Sequence, residues 1–108
     1  MVLQEVIQQA VQDEYIRAAG KYGESFNTYH EAFGVLFEEL AEAMQQVEFV
    51  KAALLKFMKG LMGKDPAETL NTIFVEAQQH AENAAAEMIQ VAAMYKKAGL
   101  TGKEHENE

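Results

Sequence analysis

The residues best suited to chemistry in this chain are carboxylates. Glu38, Glu39 and Glu42 form an E-E-x-x-E run. On a helix, residues 38 and 42, or 39 and 42, lie one turn apart, where like charges repel by about 0.2–0.5 kcal/mol per pair. A hard divalent cation such as Mg²⁺ takes oxygen ligands and removes that repulsion. Glu31, two turns earlier, falls on a similar azimuth. The same run also describes a solvated acidic helix face.

A second group lies at Glu87 and Gln90, the polar residues in an apolar stretch from Ala84 to Met94. A carboxylate buried there is costly unless paired or metal-bound. His80, Asn83, Glu87 and Gln90 step by three and four, making one polar stripe on an Ala-rich helix. Facing a carboxylate-rich helix, such a stripe is how bundle interiors hold metals. The alternative is a bundle corner where Glu87 reaches solvent along its stem. His30 and His80 are isolated, and no Glu-x-x-His pair exists, so neither a zinc nor a di-iron site is indicated. His80 is the better placed of the two, as a hydrogen-bond donor behind the ligands. Lys51, Lys56 and Lys59 follow the first acidic run, and Lys96 and Lys97 follow Gln90. Each reads as a solubilising charge or as a contact for phosphate oxygens, with Lys56 and Lys96 the candidates for a substrate contact.

Helices must carry these groups. Val2, Val6, Ile7, Ala10 and Val11 keep helical spacing, so a first helix is expected over about 2–19, with Gly20 as its stop. Residues 20–27 read as a glycine-punctuated loop. Thr28 is a credible N-cap, with Glu31 completing a capping box. The second helix starts near Tyr29, with an apolar stripe through Phe33, Leu36, Phe37, Leu40, Met44 and Val47. It continues to about Leu61. Asp65 and Pro66 open a third helix, and Gly99 is its expected stop. The expectation is one helical domain over 1–99 and a flexible acidic tail over 100–108. Three helices cannot shield this much apolar surface alone, so an all-α bundle of long antiparallel helices completed by oligomerisation is expected.

Composition narrows the classes. Of 108 residues, 49% are hydrophobic, which is enough for a core, and none is cysteine. The formal net charge of −8 argues against a nucleic-acid polymer as partner. No apolar run reaches the roughly 20 residues of a membrane span, and no signal peptide is visible, so a cytoplasmic protein is expected.

The stretch His30-Glu31-Ala32-Phe33-Gly34-Val35-Leu36-Phe37-Glu38-Glu39-Leu40-Ala41-Glu42-Ala43 resembles the first half of the MazG-like nucleotide pyrophosphohydrolase signature. That signature is E-E-x-x-E on one helix and E-x-x-D on the next. Glu87-Met88-Ile89-Gln90-Val91-Ala92-Ala93-Met94 resembles its second half. The likeness spans roughly residues 22–97 and is nearest to small phage and Gram-positive members. It implies an all-α homodimer or homotetramer that hydrolyses nucleoside triphosphates to monophosphate and pyrophosphate. Glu38, Glu39, Glu42 and Glu87 would hold Mg²⁺, or Mn²⁺ in its place, with Glu38 and Glu39 closest to the catalytic step. Gln90, His80, Asn83, Lys56 and Lys96 would stand behind the metal ligands or touch substrate. The chain departs from the signature at Gln90, which replaces the last acid, and in the long spacing from Glu42 to Glu87. Two other readings remain beside it. One is a catalytically inactive helical protein-interaction module of the same fold, and the other is a bundle that carries a metal without hydrolysis.

Overall fold

A computed structural model describes residues 2–105, and they form three helices and no strand. These are α1 (Val2–Tyr22), α2 (Tyr29–Met62) and α3 (Ala67–His105). Met1 and the last part of the expected acidic tail, residues 106–108, lie outside the described residues. No helix among the described residues is long and apolar enough to cross a membrane.

Local signals explain most of the boundaries. Thr28 caps α2 as expected, its hydroxyl accepting from the Glu31 N–H at 3.1 Å. α1 does not stop at Gly20. It runs to Tyr22, and Gly23 at φ 98 terminates it, its N–H donating to the Ala19 carbonyl at 2.9 Å. Only the later glycine takes the left-handed conformation that such a stop requires. α3 begins at Ala67, after Pro66 rather than at it, with the Pro66 carbonyl accepting from the Leu70 N–H. Nor does α3 stop at Gly99: it continues to His105.

α2 and α3 pack as an antiparallel hairpin, shown by pairs whose numbers run in opposite directions. The Phe57 ring lies 4.7 Å from that of Phe74, and the Phe49 ring 4.9 Å from that of His80. Gly60 permits close approach at the turn, since a Cβ there would lie 2.9 Å from Leu70 Cδ2. α1 lies on α3, parallel to it, and not on α2. A cleft therefore opens between α1 and α2, with α3 as its floor.

The face of α2 that packs is not the one its large residues mark. Ala32, Ala43, Ala53 and Gly60 are buried, a line of small residues that lets α3 come close. Phe33 and Phe37, at the start of the expected core stripe, are 70% and 66% exposed. Met44, Leu54, Met58 and Leu61 on α2, and Val2, Leu3 and Val6 on α1, are also exposed. The accessible surface is 7838 Å², against about 6,000 Å² for a compact monomer of 12.1 kDa. The radius of gyration is 18.6 Å, against about 13 Å for a compact domain of this length.

Candidate metal and ligand site

The two acidic groups meet across the α2–α3 seam. Glu39 and Glu42 from α2 and Glu87 from α3 bring one carboxylate oxygen each to within 4.8 Å of one another. The antiparallel pairing produces this, because it sets the middle of α2 beside the centre of α3. Glu39 and Glu87 are half-buried and Glu42 is exposed. Glu39 Oε2 and Glu87 Oε2 are both buried without a hydrogen-bond partner. Burial pushes the Glu39 carboxyl above its ordinary value, and the charges of Glu42, Glu87, Glu38 and Glu14 push it further the same way. Two orphaned oxygens beside a third carboxylate are an unfavourable arrangement unless a cation or donor reaches them. An all-oxygen set of this kind suits a hard divalent cation.

Glu39 also lines the cleft of about 420 Å³ between the three helices. α1 contributes Glu14, Arg17, Ala18 and Tyr22 to its walls, and the α1–α2 loop contributes Phe26. α2 adds Glu31 and Val35, and the α3 floor adds Gln90, Met94 and Lys97. Arg17 is committed to Glu14, with contacts of 2.5 and 3.0 Å. That hydrogen bond and the guanidinium charge hold the Glu14 carboxyl below its ordinary value, against a smaller opposing effect of burial.

The remaining expected site residues divide. Gln90 lines the cleft with Glu39. Glu38 is exposed and outside the group of three, and it acts on Glu39 by its charge alone. His80 lies in the α2–α3 seam, its Nδ1 3.0 Å from Gln46 Oε1, and it does not line the cleft. Asn83 is exposed and does not line it either. Lys56 borders a shallow groove with Glu68 and Glu76, about 20 Å along α2 from Glu42 at 1.5 Å per residue. Lys96 faces α1, where its Nζ donates to Gln12 Oε1 and sits 5.2 Å from the Tyr15 ring centroid.

Sequence reasoning missed Glu14 and Arg17 as parts of the cleft and did not distinguish Lys97 from its neighbour. The visible signal for Glu14 was an acid continuing the packing stripe of α1, followed at i+3 by an arginine. Lys97 gave no such signal beside Lys96, because the side of α3 that meets the loop depends on tertiary packing. The chain matches no protein-family profile, no curated protein and no solved structure.

Proposed function

We propose that this chain is a Mg²⁺-dependent nucleoside triphosphate pyrophosphohydrolase of MazG-like type, converting an NTP or dNTP to the monophosphate and pyrophosphate. The observation that carries this reading is the pair of buried, partnerless oxygens on Glu39 and Glu87, drawn from the two helices that bear the two halves of the motif. Glu39, Glu42 and Glu87 would hold the cation, and Mn²⁺ fits the same oxygen set. The ion would supply charge neutralisation for the phosphate oxygens. Glu39, which belongs to both the acidic group and the cleft, accepts the proton of the attacking water. The water oxygen then bonds to the α-phosphorus as the bond to the α–β bridging oxygen breaks, and pyrophosphate leaves. Gln90 offers an amide where an acid would add charge, so the site works with three carboxylates. Glu38 contributes its charge beside Glu39.

The exposed apolar face belongs to the same reading. A surface about 1,800 Å² larger than a compact monomer's is of the size an obligate subunit interface buries. A second copy of the chain, packed on the Phe33–Leu61 face of α2, covers it. The same face favours a second reading, a non-catalytic helical module that binds another protein there. The readings separate in one assay, pyrophosphate release from a panel of ribo- and deoxynucleoside triphosphates with Mg²⁺ or EDTA. The hydrolase reading expects Mg²⁺-dependent release that is lost in Glu39→Gln and Glu87→Gln. No release from any nucleotide, with no Mg²⁺ shift in melting, supports the module.

A further inference from the structure

Lys97 is a charged side chain only 5% exposed, and it lines the cleft that Glu39 enters. A lysine buried to that degree is normally paired. Among the residues whose side chains are described, however, no carboxylate lies within 4.0 Å of its ammonium. The other cation of the cleft, Arg17, is occupied by Glu14. What holds Lys97 is the ring of Phe26, 4.5 Å from Nζ to centroid. That distance is within cation–π range, but a ring face uses the charge from one side only. An ammonium carries three donors, so N–H capacity remains for a ligand.

The position of this ammonium is built rather than incidental. Phe26 is itself buried, and its N–H donates to Thr101 Oγ1 at 2.7 Å. Thr101, fully buried, in turn donates its hydroxyl to the Lys97 carbonyl at 3.2 Å. Lys97 and Thr101 are one turn apart on α3, and the loop residue closes a ring through both. The extension of α3 past Gly99 is what makes this ring. Tyr15 secures the same loop from the α1 side, its hydroxyl donating to the Glu24 carbonyl at 3.0 Å. An ammonium fixed before any ligand arrives costs little ordering when one binds.

We propose that Lys97, held by Phe26 and Thr101, is an anion subsite for a phosphate group of a ligand whose other end lies at Glu39, Glu42 and Glu87. The proposal rests on the reading above for the nature of the ligand. It makes Lys97, not Lys96 or Lys56, the side chain that contacts the polyphosphate. The anion would bring a counter-charge within hydrogen-bond reach of Lys97 Nζ, closer than the cleft carboxylates Glu14, Glu31 and Glu39 come.

The test is isothermal titration calorimetry on the full chain with Mg²⁺ alone, then with inorganic tripolyphosphate and an α,β-methylene nucleoside triphosphate in the presence of Mg²⁺. Wild type is compared with Lys97→Met, Lys97→Gln and Lys97→Arg. Loss of a charged hydrogen bond predicts anion affinity at least about tenfold weaker in the Met and Gln variants, with most of it kept in Arg. Mg²⁺ binding without the anion should persist in all of them. Resonances of the Lys97 ε-methylene in the wild-type protein should also shift on adding tripolyphosphate, a readout that needs no variant. Tripolyphosphate binding within twofold of wild type in Lys97→Met, or an unmoved Lys97 resonance at saturation, overturns the proposal. A wild type that binds Mg²⁺ but no anion overturns it while leaving the metal site standing. A wild type that binds tripolyphosphate through Lys97 but takes no Mg²⁺ sustains the subsite and removes the hydrolase reading instead.

Discussion

Replacing Glu39 with Gln should stabilise the metal-free protein and at the same time remove its response to Mg²⁺. Glu39 Oε2 is buried with no partner, and four other carboxylates act on it. An unsatisfied buried polar group costs about 1–3 kcal/mol. Each like-charge neighbour adds a few tenths, about 0.2–0.5 kcal/mol. Because the side chain is only half-buried, solvent screening favours the low end of that range. Gln keeps the shape and an oxygen but not the charge, so a gain of about 1 kcal/mol in EDTA is expected. For a chain near 100 residues that corresponds to about 4 °C in Tm. Mg²⁺ at ten times its Kd should add about 1.4 kcal/mol to the wild type and far less to the variant. Thermal melts of both proteins, in EDTA and in Mg²⁺, then show the variant ahead in EDTA and the wild type level or ahead in Mg²⁺. A variant that melts at or below wild type in EDTA, and that Mg²⁺ shifts equally, would refute the reasoning.

Four further outcomes follow from the same structure. The folded protein raises the Glu39 carboxyl above 4.5, so between 4.5 and the raised value it holds a proton that the unfolded chain has released. Stability of the metal-free wild type should therefore fall as pH climbs through that window, and this component should be missing from Glu39→Gln in denaturant titrations at several pH values. Thr101→Val leaves the buried Phe26 N–H unpaired, which should lower stability by about 1–3 kcal/mol and speed exchange of the Phe26 amide in hydrogen-exchange NMR. Gly20→Ala should raise stability by about 0.5–1 kcal/mol, because Gly20 is inside a helix with open space around it, whereas Gly23→Ala should lower it by about 1 kcal/mol or more because of its φ of 98. Urea melts of the two variants check the sign of each.

The parts of this fold that local chemistry decides were readable in advance. Thr28 three residues before Glu31 announced the start of α2, whereas spacing along each helix showed two acidic groups but not that Glu39, Glu42 and Glu87 would meet with Glu38 left outside. The parts that depend on which face packs were not readable. The Phe33–Phe37 stripe of α2 looked like core, yet alanines and Gly60 meet α3 because small residues allow closer approach. Glycine identity alone could not tell Gly20, inside α1, from Gly23, which ends it. Gly99 likewise carried a stop signal that the burial of Thr101, one turn after Lys97, overrides. Lys97 and Lys96 are neighbours in the chain with opposite environments, one in the cleft and one against α1, and only the packed helices separate them.

The most direct test of the central claim is turnover of a cleaved nucleoside triphosphate in H₂¹⁸O with Mg²⁺, read by ³¹P NMR of the products. Attack of water at the α-phosphorus predicts ¹⁸O in the monophosphate and none in pyrophosphate, and no labelled product from Glu39→Gln. Label in pyrophosphate or orthophosphate, or label appearing equally with the Glu39→Gln protein, would contradict the account of the Glu39, Glu42 and Glu87 site.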